Sequence, residues 1–152
     1  FSTSHKFTIF STTGKITWRD TQNLGGSPNF FSKIVVSDMQ EQEFVPLRIL
    51  CDYFSDTDVL PTVIVGKNSR GKERLLDKLL NYTQGEVQCL AWNGTDLATI
   101  WTSSQVHEYV TDYLVDDIDN DAVKELCIVS VSGEGAFGKA TNRITVYRAV
   151  QK

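Results

Sequence analysis

The chain lacks the cysteine and histidine spacing of a zinc site. Its three cysteines, Cys51, Cys89 and Cys127, form no C-x-x-C pair, and its two histidines, His5 and His107, stand apart from them. Three scattered thiols also fail to make the dense disulfide framework of a small secreted domain. Cys89, in Val-Gln-Cys-Leu, and Cys127, in Glu-Leu-Cys-Ile-Val, sit in apolar runs and read as small hydrophobes. Basic clusters are missing as well: 15 Lys and Arg against 19 Asp and Glu give a net charge of -4. Neither nucleic acid nor an anionic membrane surface is therefore expected as a partner. No apolar run approaches the roughly 18 residues that span a bilayer, so membrane insertion is not expected, and no signal peptide is visible in a sequence that starts at Phe1. His107 lies in the polar stretch Ser-Ser-Gln-Val-His-Glu, and no nucleophile elbow or oriented base accompanies it. An enzyme is not expected.

What the sequence does contain is a series of short alternating runs. At 152 residues and 41% hydrophobic, it has the size of one ordinary domain or part of one, here taken as residues 1–152. Lys-Phe-Thr-Ile-Phe from Lys6 and Ile-Thr-Trp-Arg from Ile16 flank a Gly-containing turn and predict a hairpin. Asn-Leu-Gly-Gly-Ser-Pro from Asn23 ends it. Further strands are predicted at 30–36, 46–51, 62–65, 86–92, 97–102, 109–115, 126–131 and 143–150, with Asn93-Gly94 as the turn of a second hairpin. Asp38-Met-Gln-Glu-Gln-Glu reads as a solvated link, and Gly66-Lys-Asn-Ser-Arg-Gly as a break. Leu75, Leu76, Leu79 and Leu80 fall at helical spacing and predict one short helix over 72–81. The expected class is all-β.

Grouped, these runs echo one another. Residues 14–31 resemble 94–113, and the segment from Arg48 through Thr62-Val-Ile-Val resembles that from Leu114 through Glu125-Leu-Cys-Ile-Val. Each unit runs strand, acidic loop, strand, hairpin. Four-stranded units of this order, stacked radially, are propeller blades. A two-sheet β-sandwich is the alternative.

The chemistry is concentrated in Asp116-Asp-Ile-Asp-Asn-Asp-Ala-Val-Lys-Glu-Leu126. Six carboxylates, Asp112, Asp116, Asp117, Asp119, Asp121 and Glu125, crowd around a single Lys124. Such crowding repels itself unless a cation or solvent screens it. Asp117, Asp119 and Asp121 alternate and Glu125 follows four residues on, the oxygen-rich spacing by which one loop wraps a hard cation such as Ca2+. A solvated acidic turn is the plainer reading, because Asp and Asn favour turns for their own backbone hydrogen bonds.

Asp117-Ile-Asp-Asn-Asp-Ala-Val-Lys-Glu-Leu resembles the calcium loop of the FG-GAP and VCBS repeat family, D-x-D-x-D-G-x-x-[DE]-hydrophobic. In that family the loop joins the first two strands of a β-propeller blade, in integrin-like and in bacterial secreted or periplasmic proteins. The resemblance implies that Asp117, Asp119, Asp121 and Glu125 supply side-chain oxygens and Val123 a backbone carbonyl to Ca2+. It further implies a non-catalytic interaction or scaffold domain of an exported bacterial protein, periplasmic or extracellular, with a protein or carbohydrate partner. Ala122 stands where the family has Gly, and a left-handed backbone there costs an L-residue about 1–2 kcal/mol. Residues 52–62 read as a decayed copy of the loop, with Phe54 where the second carboxylate belongs.

Other signals resolve against their sharper readings. Gly133-Glu-Gly-Ala-Phe-Gly-Lys-Ala matches G-x-G-x-x-G, but a phosphate loop must open a helix, and Arg-Ile-Thr-Val-Tyr-Arg from Arg143 reads as a strand. Trp18, Trp92 and Trp101 are expected to pack in the core; on sugar they would instead serve an accessory domain of a polysaccharide-active enzyme. Asn81-Tyr-Thr and Asn93-Gly-Thr match the glycosylation sequon, a common chance pattern. Blades take about 40–50 residues and propellers need at least four, so the chain supplies about three. The expectation is a piece of a longer chain, or self-association through edge strands.

Overall fold

The computed structural model describes residues 6–36, 39–54, 60–70, 82–132 and 140–148. Among them the chain is all-β, with eleven strands and no helix. Among the described residues no helix is long and apolar enough to cross a membrane. β1 (Lys6–Phe10) and β2 (Ile16–Asn23) form the expected hairpin, and its turn uses Gly14 at φ +78°. β3 (Phe30–Val36) pairs antiparallel with β4 (Met39–Phe44). β5 (Ile49–Asp52), β6 (Thr62–Arg70), β7 (Tyr82–Trp92) and β8 (Leu97–Thr102) make a four-stranded antiparallel meander. β9 (Tyr109–Asp116), β10 (Glu125–Ser132) and β11 (Thr141–Arg148) make a three-stranded sheet in the order β11-β10-β9.

The centre of the four-stranded sheet, β6 and β7, is buried on both faces, its alternating side chains entering two packed layers. Ile64, Val87 and Cys89 point one way and meet Val110, Tyr113, Leu126 and Ile128 of the three-stranded sheet, with Leu47 at the margin. Val65 and Leu90 point the other way and pack with Leu97, Leu24 and the half-buried Phe7, Ile9 and Trp18 of the first hairpin. Val87, Gln88, Cys89 and Leu90 are consequently all buried in succession.

Polar groups lock the two sheets together. Asn68 on β6 donates through Nδ2 to the Gly26 and Val110 carbonyls, both at 2.8 Å, while its Oδ1 accepts from the Val110 amide at 2.8 Å. Opposite Asn68 lies Gly85, where a Cβ would stand 2.7 Å from the Val110 nitrogen. The Tyr113 hydroxyl accepts from the Gly66 amide at 2.9 Å and donates to the Arg48 carbonyl, while Arg48 donates to the Tyr113 carbonyl and pairs with Asp112. A Cβ on Gly66 would come within 3.0 Å of the Tyr113 ring.

Two expectations need correction. The stretch from Gly66 does not break its strand: β6 continues through it to Arg70, because Gly66 and Asn68 serve close approach and cross-sheet hydrogen bonding rather than a turn. The acidic link is largely a strand, β4, whose Phe44 ring packs on Phe30 of β3 with centres 5.5 Å apart. The predicted helix over 72–81 lies outside the described residues, as does Asp38.

Candidate metal centre

The acidic loop is held at the closed end of the β9–β10 hairpin. Asp116 and Glu125 face each other as register partners, so residues 117–124 must turn within that span. Their own carboxylates shape the turn. Asp117 accepts through Oδ1 from the Asp121 amide at 3.0 Å and through Oδ2 from the Ala122 amide at 2.9 Å. Asp121 Oδ1 accepts from the Val123 amide at 2.9 Å. Asn120 and Ala122 take left-handed backbones, at φ 60° and 66°. Residue 122 thus has the conformation for which Gly is favoured, although it is Ala.

Carboxylate oxygens of Asp117, Asp119 and Glu125 lie within 4.8 Å of one another. Glu125 is only 4% exposed; its Oε2 accepts from the Ile118 amide at 3.0 Å, and its Oε1 has no partner. Among the described residues no Lys or Arg pairs with any of these three. The nearby cations are committed elsewhere: Lys124 to Asp52 at 2.7 Å, Arg48 to Asp112 at 2.9 Å and Arg148 to Asp121. Three carboxylates with an orphaned buried oxygen suit a hard cation, which takes oxygen ligands and offsets their repulsion.

Of the residues singled out in the sequence, Asp117, Asp119 and Glu125 converge. Asp121 instead turns its carboxylate to Arg148 and to the Val123 amide, and Val123 is half-buried two residues before Glu125. Arg148 escaped the sequence reading. The register of β10 on β11, which sets Arg148 opposite Glu125, brings it to the loop, and only the pairing reveals this.

The remaining candidates are dispersed. His107 is exposed, and His5 lies outside the described residues, as do Asn81 and 133–139 of the glycine-rich stretch. Asn93 uses its Oδ1 to accept from the Thr95 and Asp96 amides, at 3.0 and 2.8 Å, and so shapes the β7–β8 turn. Trp18 and Trp92 are half-buried against the second cluster, in line with core packing. Trp101 departs from it: 37% exposed, it rests edge-on against Tyr147 with ring centres 5.2 Å apart. Cys89 and Cys127 are buried, and burial pushes the Cys89 thiol up to about 11 and the Cys127 thiol upward too. The thiolate, the reactive form, is disfavoured at both.

Comparison of the chain with protein-family models, with curated proteins and with solved structures gives no match.

Proposed function

We propose that the chain is a non-catalytic interaction domain of β-propeller type, from an exported protein, in which the 117–125 loop is stiffened by Ca2+. The observation that carries the cation reading is the buried Glu125 carboxylate, whose Oε1 lacks a partner beside Asp117 and Asp119. An unpaired oxygen buried among like charges is costly, and a divalent ion relieves both terms. Asp117, Asp119 and Glu125 are the first ligands. The Val123 carbonyl adds to them toward the six to eight oxygens that Ca2+ takes, and Asp121 would join only by leaving Arg148 and the Val123 amide.

The propeller reading draws support from two features. β5 and β6 flank a loop, as do β9 and β10, and the meander continues from each pair, so the two sheets repeat one strand order. The four-stranded sheet also carries a packed layer on each face, as a stacked blade does, whereas each sheet of a two-sheet sandwich buries one face. Both terminal strands are paired within the chain, β1 to β2 and β11 to β10.

Calorimetry with and without Ca2+ tests the cation reading. Calcium at 100 times its Kd is expected to add about 2.7 kcal/mol, which is about 5–10 °C in Tm for a domain of this size. Asp119→Ala should abolish that rise. Absence of binding at millimolar Ca2+ would leave the loop an acidic turn.

A further inference from the structure

The four-stranded and three-stranded sheets repeat one ladder, rung for rung. The β9–β10 ladder starts where Asp116 faces Glu125, as the β5–β6 ladder starts where Asp52 faces Thr62. Counted from those rungs, Leu114 and Cys127 stand where Leu50 and Ile64 stand. On the next strand out, Val146 faces Cys127 and Ile144 faces Val129, as Cys89 faces Ile64 and Val87 faces Gly66.

The matched faces differ in what covers them. Ile64, Val87 and Cys89 are at most 5% exposed, because Val110, Tyr113, Leu126 and Ile128 of the three-stranded sheet pack on them. Their counterparts turn the other way: Leu126 and Ile128 enter the core, so Cys127 and Val129 point outward, together with Leu114, Val146 and Ile144 in register beside them. Ile144 is 68% exposed and Val146 50%, and Leu114 is exposed too. Single exposed apolar residues are ordinary, but these lie side by side on one sheet face. A second such face lies at the other end of the stack. Phe7, Ile9 and Trp18 of the first hairpin pack inward, so Phe10 and Ile16, which face each other across the hairpin, point outward and are exposed.

We propose that a second copy of this chain covers both faces: the outer face of β9–β11 in one copy stacks on the outer face of the β1–β2 hairpin in the other, and reciprocally, closing a ring. The contact continues the one made inside the chain, where the matching face of the four-stranded sheet is covered by the next sheet. Charge agrees with it. Arg19, on the side of β2 opposite Trp18, and Asp116, two residues from Leu114, are exposed and of opposite sign, and among the described residues neither has an ion-pair partner. The number of layers sets the number of copies. Head-to-tail contacts either close or polymerise. Each chain supplies three stacked layers, the first hairpin, the four-stranded sheet and the three-stranded sheet. Propellers close with about four to eight blades, so one copy supplies too few layers, three copies too many, and two copies the right number. The inference rests on the blade reading and not on calcium.

Sedimentation of the 152-residue chain in EDTA tests it. The parent is expected at the mass of two chains of 17.1 kDa each. Faces of two and three strands are small, so Kd should be on the order of 10 µM. Ile144→Asp and Phe10→Asp each bury a charge in both contacts of the ring and should raise Kd at least about 100-fold. Mixed together, these two variants retain one intact contact and should form a mixed dimer tighter than either forms alone. Both positions are more than half exposed within the single chain, so the variants should fold; Val146→Lys and Ile16→Lys repeat the test at neighbouring positions. A parent that stays monomeric at about 1 mM, that grows beyond the dimer, or that dissociates with Ile144→Asp but not with Phe10→Asp would overturn the proposal. NOEs between the Ile9 and Leu90 methyls separate this from the blade reading: a monomeric parent that shows them keeps its stacked layers and loses only the ring, whereas their absence overturns both.

Discussion

Ala122 offers a direct test of the loop geometry. Its φ of 66° lies in the left-handed region, and its side chain is exposed, so its methyl group gains little burial in return. An L-residue there costs about 1–2 kcal/mol relative to Gly. Gly repays part of this through its larger entropy in the unfolded chain, about 0.5–1 kcal/mol. Ala122→Gly is therefore expected to stabilise the protein by about 0.5–1 kcal/mol, a rise of about 1–4 °C in Tm. The Ala122 amide keeps its bond to Asp117 Oδ2, because the backbone need not move. Thermal unfolding followed by circular dichroism, in EDTA so that cation binding does not enter, measures the change. Asn120→Gly is the control: Asn tolerates its φ of 60° far better than Ala does, so the expected shift is smaller. A Tm for Ala122→Gly at or below the parent's would refute the left-handed turn.

Two further outcomes follow from the core. Gly85→Ala would set a Cβ 2.7 Å from the Val110 nitrogen and 2.8 Å from Asn68 Oδ1, so urea unfolding should show a loss of roughly 3 kcal/mol; a variant as stable as the parent would mean the sheets do not approach so closely there. Burial pushes the Cys89 thiol from 9.0 up to about 11 and the Tyr113 phenol from 10.0 up to about 12. The unfolded chain ionises first, so the folded state keeps the extra protons: stability is whole below pH 9 and declines by on the order of 4 kcal/mol toward pH 12. Urea midpoints across that range check this, and a decline that persists unchanged in the double variant Cys89→Ala, Tyr113→Phe would assign it to other groups.

The strands easiest to read in the sequence are those that bury a face. Val63-Ile-Val65 and Leu126-Cys-Ile128 are apolar because they lie between layers, and their positions follow from composition alone. β4 was illegible for the opposite reason: Gln42 and Glu43 are exposed, so that stretch carries no apolar alternation, and pairing with β3 makes it a strand. The second half of β6 misled because Gly and Asn are turn residues by habit. Here Gly66 makes room for the Tyr113 ring, and Asn68 substitutes for a missing ladder partner between β6 and β9. At the acidic loop, one-dimensional spacing identified Asp117, Asp119 and Glu125, which lie in one turn. It could not show that Asp121 is drawn to Arg148, a contact made through the register of a strand that begins sixteen residues after Glu125. The polar chain Gln22–Lys67–Glu86–Gln88 was equally hidden, since its residues come from three strands that only folding assembles.

The burial of Glu125 ties the loop to the sheet. As the first residue of β10 it pairs with Asp116 on one side and Arg148 on the other, so its backbone is fixed by two ladders, while burial and the Ile118 amide hold its side chain inward. Arg148 could have neutralised it, but that guanidinium goes to Asp121. An apolar side chain of similar volume at 125 would avoid the desolvation of a charge and the repulsion from Asp117 and Asp119. A divalent cation bound there would make Glu125 the ligand that couples the loop to β10, and would so stiffen the end of the three-stranded sheet as well as the turn itself.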